Sequence, residues 1–304
     1  MHIHLHALVA AVFTLGHVAG CNRPPAQTSP RYGAEPAATS TPGYTLAVHP
    51  LHNPARLLQA YSPLVAHLNS QIGGTRIALE ASRDYATFES KYRARRVELL
   101  LPNPWQALQA MSCGYHVIAM AGQPEDFKGL LLVRRDRPLA SPADLKGLAV
   151  SYPSPTALAA CIMPQTFLHE HGLNVMVDLD NRYVGSQESA IMNVYLGLTA
   201  AGATWPPPWR LFQQEHPREA AELMVKWETA PLVNNAVMAR DDLPPPLVAQ
   251  LRTTLLELDQ TAAGKAILAH MEIARFLPAT DASYEVVRQY VAHFERAIRP
   301  VEQP

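Results

Sequence analysis

From Tyr44 onward one order repeats: a short apolar run, a turn rich in Pro, Ser, Asn or Thr, then an amphipathic helical segment. Tyr44–His49 is the first such run. Pro54 then opens a segment with Leu57, Leu58, Tyr61, Leu64, Val65 and Leu68 at helical spacing, closed by Gly73-Gly74. Arg76–Leu79 reads as a strand and Asp84 as the cap of a helix carrying Phe88 and Tyr92. Val97–Leu101 reads as a buried strand, followed by a helix from about Pro104 to Cys113. Further strands are expected at His116–Met120, Leu130–Arg134, Leu148–Ser151, Arg182–Val184, Ala200–Thr204, Met224–Trp227 and Ala236–Arg240. Helices are expected at Ala157–Glu170, Glu188–Leu196 and, after a Pro-rich loop, Trp209–His216, with three more near 245–259, 262–270 and 283–297. Strand–helix alternation specifies an α/β fold: mainly parallel sheets flanked by helices, with ligands at the carboxyl ends of the strands. Two such units joined by two crossings enclose a cleft, a favoured place for a ligand.

The alternation begins late. Residues 1–20 contain no Asp, Glu, Lys or Arg, and the apolar stretch Ala7–Leu15 is too short to span a bilayer, which takes about 20 residues. It has the size of a signal-peptide core, and Val18-Ala19-Gly20-Cys21 resembles a bacterial lipobox, with Cys21 as the lipidated residue. Residues 21–43 then read as a lipidated Cys and a flexible tether dominated by Pro, Ala, Ser and Thr. The expectation is an exported, membrane-anchored lipoprotein that acts outside the cytoplasm.

Among 304 residues, 25 Lys plus Arg balance 26 Asp plus Glu, which argues against a nucleic-acid partner, since that needs surplus cations. The sequence has no GxSxG, HExxH, Walker A or GxGxxG pattern, so it reads as a non-enzyme with no cofactor. His169 and His171 flank Glu170 near a helix end; neighbouring helix positions do not face one another, so no metal site is expected there. Cys113 and Cys161 read as small buried hydrophobes, with a disulfide between them left open.

Five strand-to-helix junctions carry the binding signal. They hold His49, His52 and Asn53; Asn103, Trp105 and Gln106; Thr156; Ser186, Gln187 and Glu188; and Trp205. Each sits where the first N–H groups of a helix are unpaired and the helix dipole favours negative charge. Such ends, converging on one edge, suit a small anion or polar ligand. Tyr85, Asn234 and Asn235 complete the candidate set.

The segments VHPLHNPARLLQAYSPLVAHL, SRDYATFESKY, LLLPNPWQAL, ADLKGLAVSYPSP, PQTFLHEHG, YVGSQESAIMNVYLG and NNAVMARDDLP resemble the phosphate/phosphite/phosphonate substrate-binding proteins of ABC importers, from about Tyr44 to past Tyr284. The resemblance implies a two-lobed periplasmic binding protein of type II-like form. Lobe one would comprise 44–133 plus 236–304 and lobe two 134–235, with crossings near Val133–Arg135 and Asn234–Val237. It also implies a ligand code that transfers poorly. The family's Ser-Thr-Ser run falls on Ala157, Leu158 and Ala159, its loop His on Gln187, an acid on Ala200 and a Tyr on Ala107, whereas Tyr85 matches. The implied ligand is therefore an oxyanion, a phosphonate-like molecule or a small organic acid. The implied role is capture for an ABC permease; the alternative is a ligand-sensing lipoprotein that partners a membrane sensor kinase.

Overall fold

The computed structural model describes residues 43–74, 76–137 and 139–302. The expected leader, Cys21 and the tether up to residue 42 lie outside the described residues. Gly43, expected as the last tether residue, instead opens the first strand.

The elements up to the first crossing are β1 (Gly43–Val48), α1 (Pro54–Gln71), β2 (Arg76–Glu80), α2 (Tyr85–Arg93), β3 (Leu99–Leu101), α3 (Pro104–Met111) and β4 (Tyr115–Ala121). Next come β5 (Leu130–Arg134), β6 (Ala149–Tyr152), a π-helical turn (Leu158–Ile162) running into α4 (Met163–Glu170), α5 (Val175–Asp178), β7 (Asp180–Tyr183) and α6 (Gln187–Tyr195). β8 (Ala201–Thr204), α7 (Pro206–Glu215), α8 (Pro217–Ala221) and β9 (Leu223–Glu228) complete that half. The chain ends with β10 (Asn235–Arg240), α9 (Pro245–Leu256), α10 (Ala262–His270), β11 (Phe276–Leu277) and α11 (Glu285–Ala297).

These strands form two sheets, ordered β11-β4-β10-β3-β1-β2 and β7-β6-β8-β5-β9. β1 pairs parallel with β2 and β3, and β6 pairs parallel with β7 and β8. β10 runs antiparallel between β3 and β4, and β5 antiparallel between β8 and β9. Each of these two is the first strand laid down after the chain changes sheets, and each lies inside its sheet rather than at an edge. The buried run of β3, Leu99–Leu101, has no polar alternation because helices cover both faces of its sheet.

Two sequence expectations need correction. Leu130–Arg134 belongs to the second sheet, so the first crossing lies between Ala121 and Leu130 and not at Val133–Arg135. An apolar run such as Leu-Leu-Leu-Val fits either sheet, so the pattern alone did not place it. The return lies between Glu228 and Asn235, at the edge of the expected window. Pro206, Pro207 and Pro208 form no loop: they are the first turn of α7, where a missing N–H costs no helical hydrogen bond.

Cys113 is half-buried and Cys161 buried, and both are free thiols. No helix of the described residues is long and apolar enough to cross a membrane. Among those residues no cluster of His, Cys, Asp and Glu is arranged to hold a metal.

Candidate ligand cavity

Between the sheets lies a small cavity, open to solvent, lined from one side by His49, Tyr85 and Asn103 and from the other by Ala157–Ala160, Gln187 and Trp205. His49 follows β1. Its Nδ1–H donates to the Leu101 carbonyl at the end of β3, 3.0 Å away, which leaves Nε2 as an acceptor. Burial lowers the His49 pKa to about 4, so the ring is neutral at physiological pH. Tyr85 opens α2, and burial pushes its phenol well above the ordinary value, so the OH stays protonated. Asn103 caps α3 through its Oδ1, which accepts the Gln106 N–H at 3.0 Å, while the Gln106 side chain accepts the Asn103 N–H in return.

The Ala157–Ala160 part of the opposite wall has no polar side chain and offers main chain. Ala157 is extended, and the N–H of Ile162 reaches back five residues to its carbonyl, 3.2 Å away. The N–H groups of Leu158, Ala159, Ala160 and Cys161 therefore precede the first turn's closure, and among the described residues none has a hydrogen-bond acceptor. All four residues are buried. Four donors in one turn, with the positive end of a helix behind them, form an anion-binding surface without any charged side chain.

Three hydrogen bonds tie the walls. Gln187 Nε2 donates to Tyr85 OH (3.2 Å), and Gln187 Oε1 is held in turn by the Thr204 hydroxyl (2.9 Å). Asn103 Nδ2 donates to the Thr156 carbonyl (3.1 Å). The Thr156 hydroxyl donates to Glu89 Oε1 (2.7 Å), which also accepts from Gln106 Nε2 (3.1 Å). Burial raises the pKa of Glu89 and outweighs those hydrogen bonds. Among the described residues no Lys or Arg lines the cavity.

His49, Tyr85, Asn103, Gln187 and Trp205 line this cavity. His52, Asn53, Ser186 and Glu188 line a neighbouring cavity, with Gln187 common to both. Asn234 and Asn235 line a third, which shares Trp205. Thr156 and Gln106 stand behind the wall and hold Glu89. Trp105 does not reach the cavity: at 1 % exposure it packs in the first sheet's core, because the second position of α3 points inward. Glu89 and Phe127 were missed. Glu89 was legible as a lone carboxylate on the apolar stripe Tyr85, Phe88, Tyr92 of α2. Phe127, 5.4 Å from the Trp205 ring, carried no such mark.

The family model for "ABC transporter, phosphonate, periplasmic substrate-binding protein" matches residues 46–284. A probable ABC transporter phosphite binding protein, PhnD1, from Prochlorococcus marinus (strain MIT 9301) is 24% identical over 186 residues, which cover 57% of this chain and 63% of that relative. The chain thus spans less than two thirds of that protein's length. A crystallised binding protein component of an ABC phosphonate transporter from Pseudomonas aeruginosa superposes with a TM-score of 0.77 at 16% identity, covering 84% of this chain and 88% of that one. PhnD1 of Prochlorococcus marinus in complex with methylphosphonate gives 0.76 at 20% identity, covering 84% and 98%. At these identities the superpositions establish the shared fold.

Proposed function

We propose that this chain, which belongs to the phosphonate periplasmic substrate-binding proteins of ABC transporters, captures a small oxyanion in the cavity between its sheets and presents it to a membrane permease. The observation that carries the reading is the turn Leu158–Cys161, four buried residues whose N–H groups have no acceptor among the described residues and the first three of which line the cavity. A bound oxyanion would take those donors while Tyr85 OH and the Asn103 amide face it from the other side.

The chemistry narrows the ligand. Among the described residues no cation lines the cavity, and the Glu89 carboxylate stands one hydrogen bond behind it, so a doubly charged ligand is disfavoured against a singly charged one. His49 Nε2 offers an acceptor, which suits an oxyacid that retains one O–H. Ala157, Leu158 and Ala159 lack side-chain hydroxyls, each of which would add about 1.5–3 kcal/mol toward a charged group. Inorganic ions and methylphosphonate are therefore expected to bind weakly.

Thermal unfolding of the mature chain with phosphite, phosphate, methylphosphonate and small carboxylates tests this. At a hundredfold excess over Kd, a true ligand adds about 2.7 kcal/mol, which raises Tm by roughly 5–10 °C. A flat response to every oxyanion at millimolar concentration would contradict it. The same proposal places the protein on a membrane through Cys21: two or more acyl chains anchor stably where one does not. Cys21→Ala is expected to leave the protein out of the membrane pellet.

A further inference from the structure

Three charged side chains are buried among the described residues: Glu89, Lys91 and Arg299. Two of them have an opposite charge beside them. Lys91 pairs with Glu80, and Arg93 lies 3.8 Å from Glu89. Arg299, 4 % exposed, has no carboxylate partner among the described residues. Its guanidinium donates to Gln165 Oε1, to the carbonyls of Pro155, Pro300 and Val301, and to Cys161 Sγ, all of them neutral acceptors. The Tyr183 and Phe294 rings flank it, their centroids 5.8 and 5.1 Å away. Such contacts solvate a cation but leave its net charge in place. Burying a charge without a counter-charge is costly.

The place of that charge is specific. Arg299 follows α11, which packs on α3, yet its side chain reaches the turn between β6 and α4. Nη2 donates to the Pro155 carbonyl at 3.2 Å and to Cys161 Sγ at 3.5 Å, and these two residues bracket the cavity-lining run Ala157–Ala160. Burial pushes the Cys161 thiol up to about 12, and the Arg299 charge pulls the other way, so the field of the guanidinium reaches the last of the four donor residues. Arg299 itself does not line the cavity.

We propose that Arg299 is the counter-charge of the bound oxyanion, acting through the donor turn without touching the ligand, and that it makes the site select anions over neutral molecules of the same shape. The inference rests on the oxyanion reading of the cavity. Without an anion, the positive ends of four N–H groups and an unpaired guanidinium stand side by side. A neutral ligand with acceptor oxygens answers the N–H groups alone, whereas an anion answers both. Glu89, the buried charge on the opposite side, already has Arg93 and does not take this part.

Calorimetry with methylphosphonate on charge variants reads the proposal. Arg299→Met and Arg299→Lys both lose the forked hydrogen bonds, but only Lys keeps the charge. Arg299→Met should weaken binding on the order of tenfold, as loss of one interior charge near an anion does, and Arg299→Lys should stay within about threefold of the unmodified protein. Gln165→Glu keeps the acceptor that Arg299 Nε uses at 3.0 Å and places a carboxylate on the guanidinium. It should leave urea stability equal or higher while weakening methylphosphonate about tenfold. Equal Kd values for the Met and Lys variants, or an unchanged Kd in Gln165→Glu, would reduce Arg299 to a brace and overturn the counter-charge while leaving the oxyanion site standing. Absence of binding to the unmodified protein by methylphosphonate, phosphite and phosphate alike would overturn the oxyanion reading, and the counter-charge with it.

Discussion

On the first-lobe side of the cavity, His49, Tyr85 and Asn103 present side chains whose chemistry is fixed by burial and by hydrogen bonds to the ends of β3 and α3. On the second-lobe side, Ala157–Ala160 present main chain. The first wall can be titrated or deleted one group at a time. The second depends on where the chain leaves its extended conformation and begins its π turn, and every residue type except proline carries the same N–H. A cavity can therefore keep an anion-binding surface after losing the hydroxyls that would advertise it.

The backbone wall should depend most on what braces it. Arg299, 4 % exposed, donates to Gln165 Oε1, to the carbonyls of Pro155, Pro300 and Val301, and to Cys161 Sγ. It thereby pins the chain after α11 to both sides of the π turn. Arg299→Met is expected to cost about 2–3 kcal/mol in urea unfolding, because it leaves buried acceptors without a donor. A loss below about 0.5 kcal/mol would detach the brace from the wall.

The side-chain wall should answer to pH. With the His49 pKa held at about 4 against 6.5, the unfolded chain takes the proton first as pH falls. The stability present above pH 6.5 should be lost progressively down to about pH 4, by roughly 3 kcal/mol in all. Glu89, raised by burial, runs the other way: its contribution is present at low pH and lost as pH rises. His52, lowered to about 3, adds a limb of the same sign, so unfolding measured in a Glu89→Gln, His52→Asn background isolates the His49 limb, and His49→Asn in that background should flatten it. A slope that survives would show that His49 is not the group responsible.

Between the walls the comparison can be sharpened by a gain. Ala159→Ser adds a hydroxyl to the donor turn and should tighten methylphosphonate binding about tenfold, as a hydrogen bond to a charged group would. An unchanged Kd by calorimetry would mean that the head group does not sit against this turn.

The alternation of apolar runs and helices made the α/β order readable, and Pro54, Asp84 and Asn103 marked helix starts that the structure keeps. What escaped has physical reasons. Leu130–Arg134 reads the same in either sheet, because central strands of both are apolar on two faces. Trp105 and Trp205 each follow a strand, yet one enters the core and the other lines the cavity. That difference is one of position at the helix start: Trp105 is the second residue of α3, whereas Trp205 is the N-cap of α7. The N–H wall left no trace in residue types. The hydroxyl-free run Ala157-Leu158-Ala159 looked like a loss of function, although the turn retains four donors.

The two Trp residues give the smallest expected signal. A ligand-induced change in indole fluorescence should persist in Trp105→Phe and disappear in Trp205→Phe. Persistence in both would move the reporting ring away from this cavity.

The central claim is that the oxyanion is held by main-chain donors, and amide NMR reads those donors directly. During a methylphosphonate titration of 15N-labelled protein, the Leu158, Ala159, Ala160 and Cys161 amide protons should show the largest downfield shifts in the molecule, following one saturation curve. Saturable binding that leaves these four resonances in place, with the shifts concentrated elsewhere, would contradict the account.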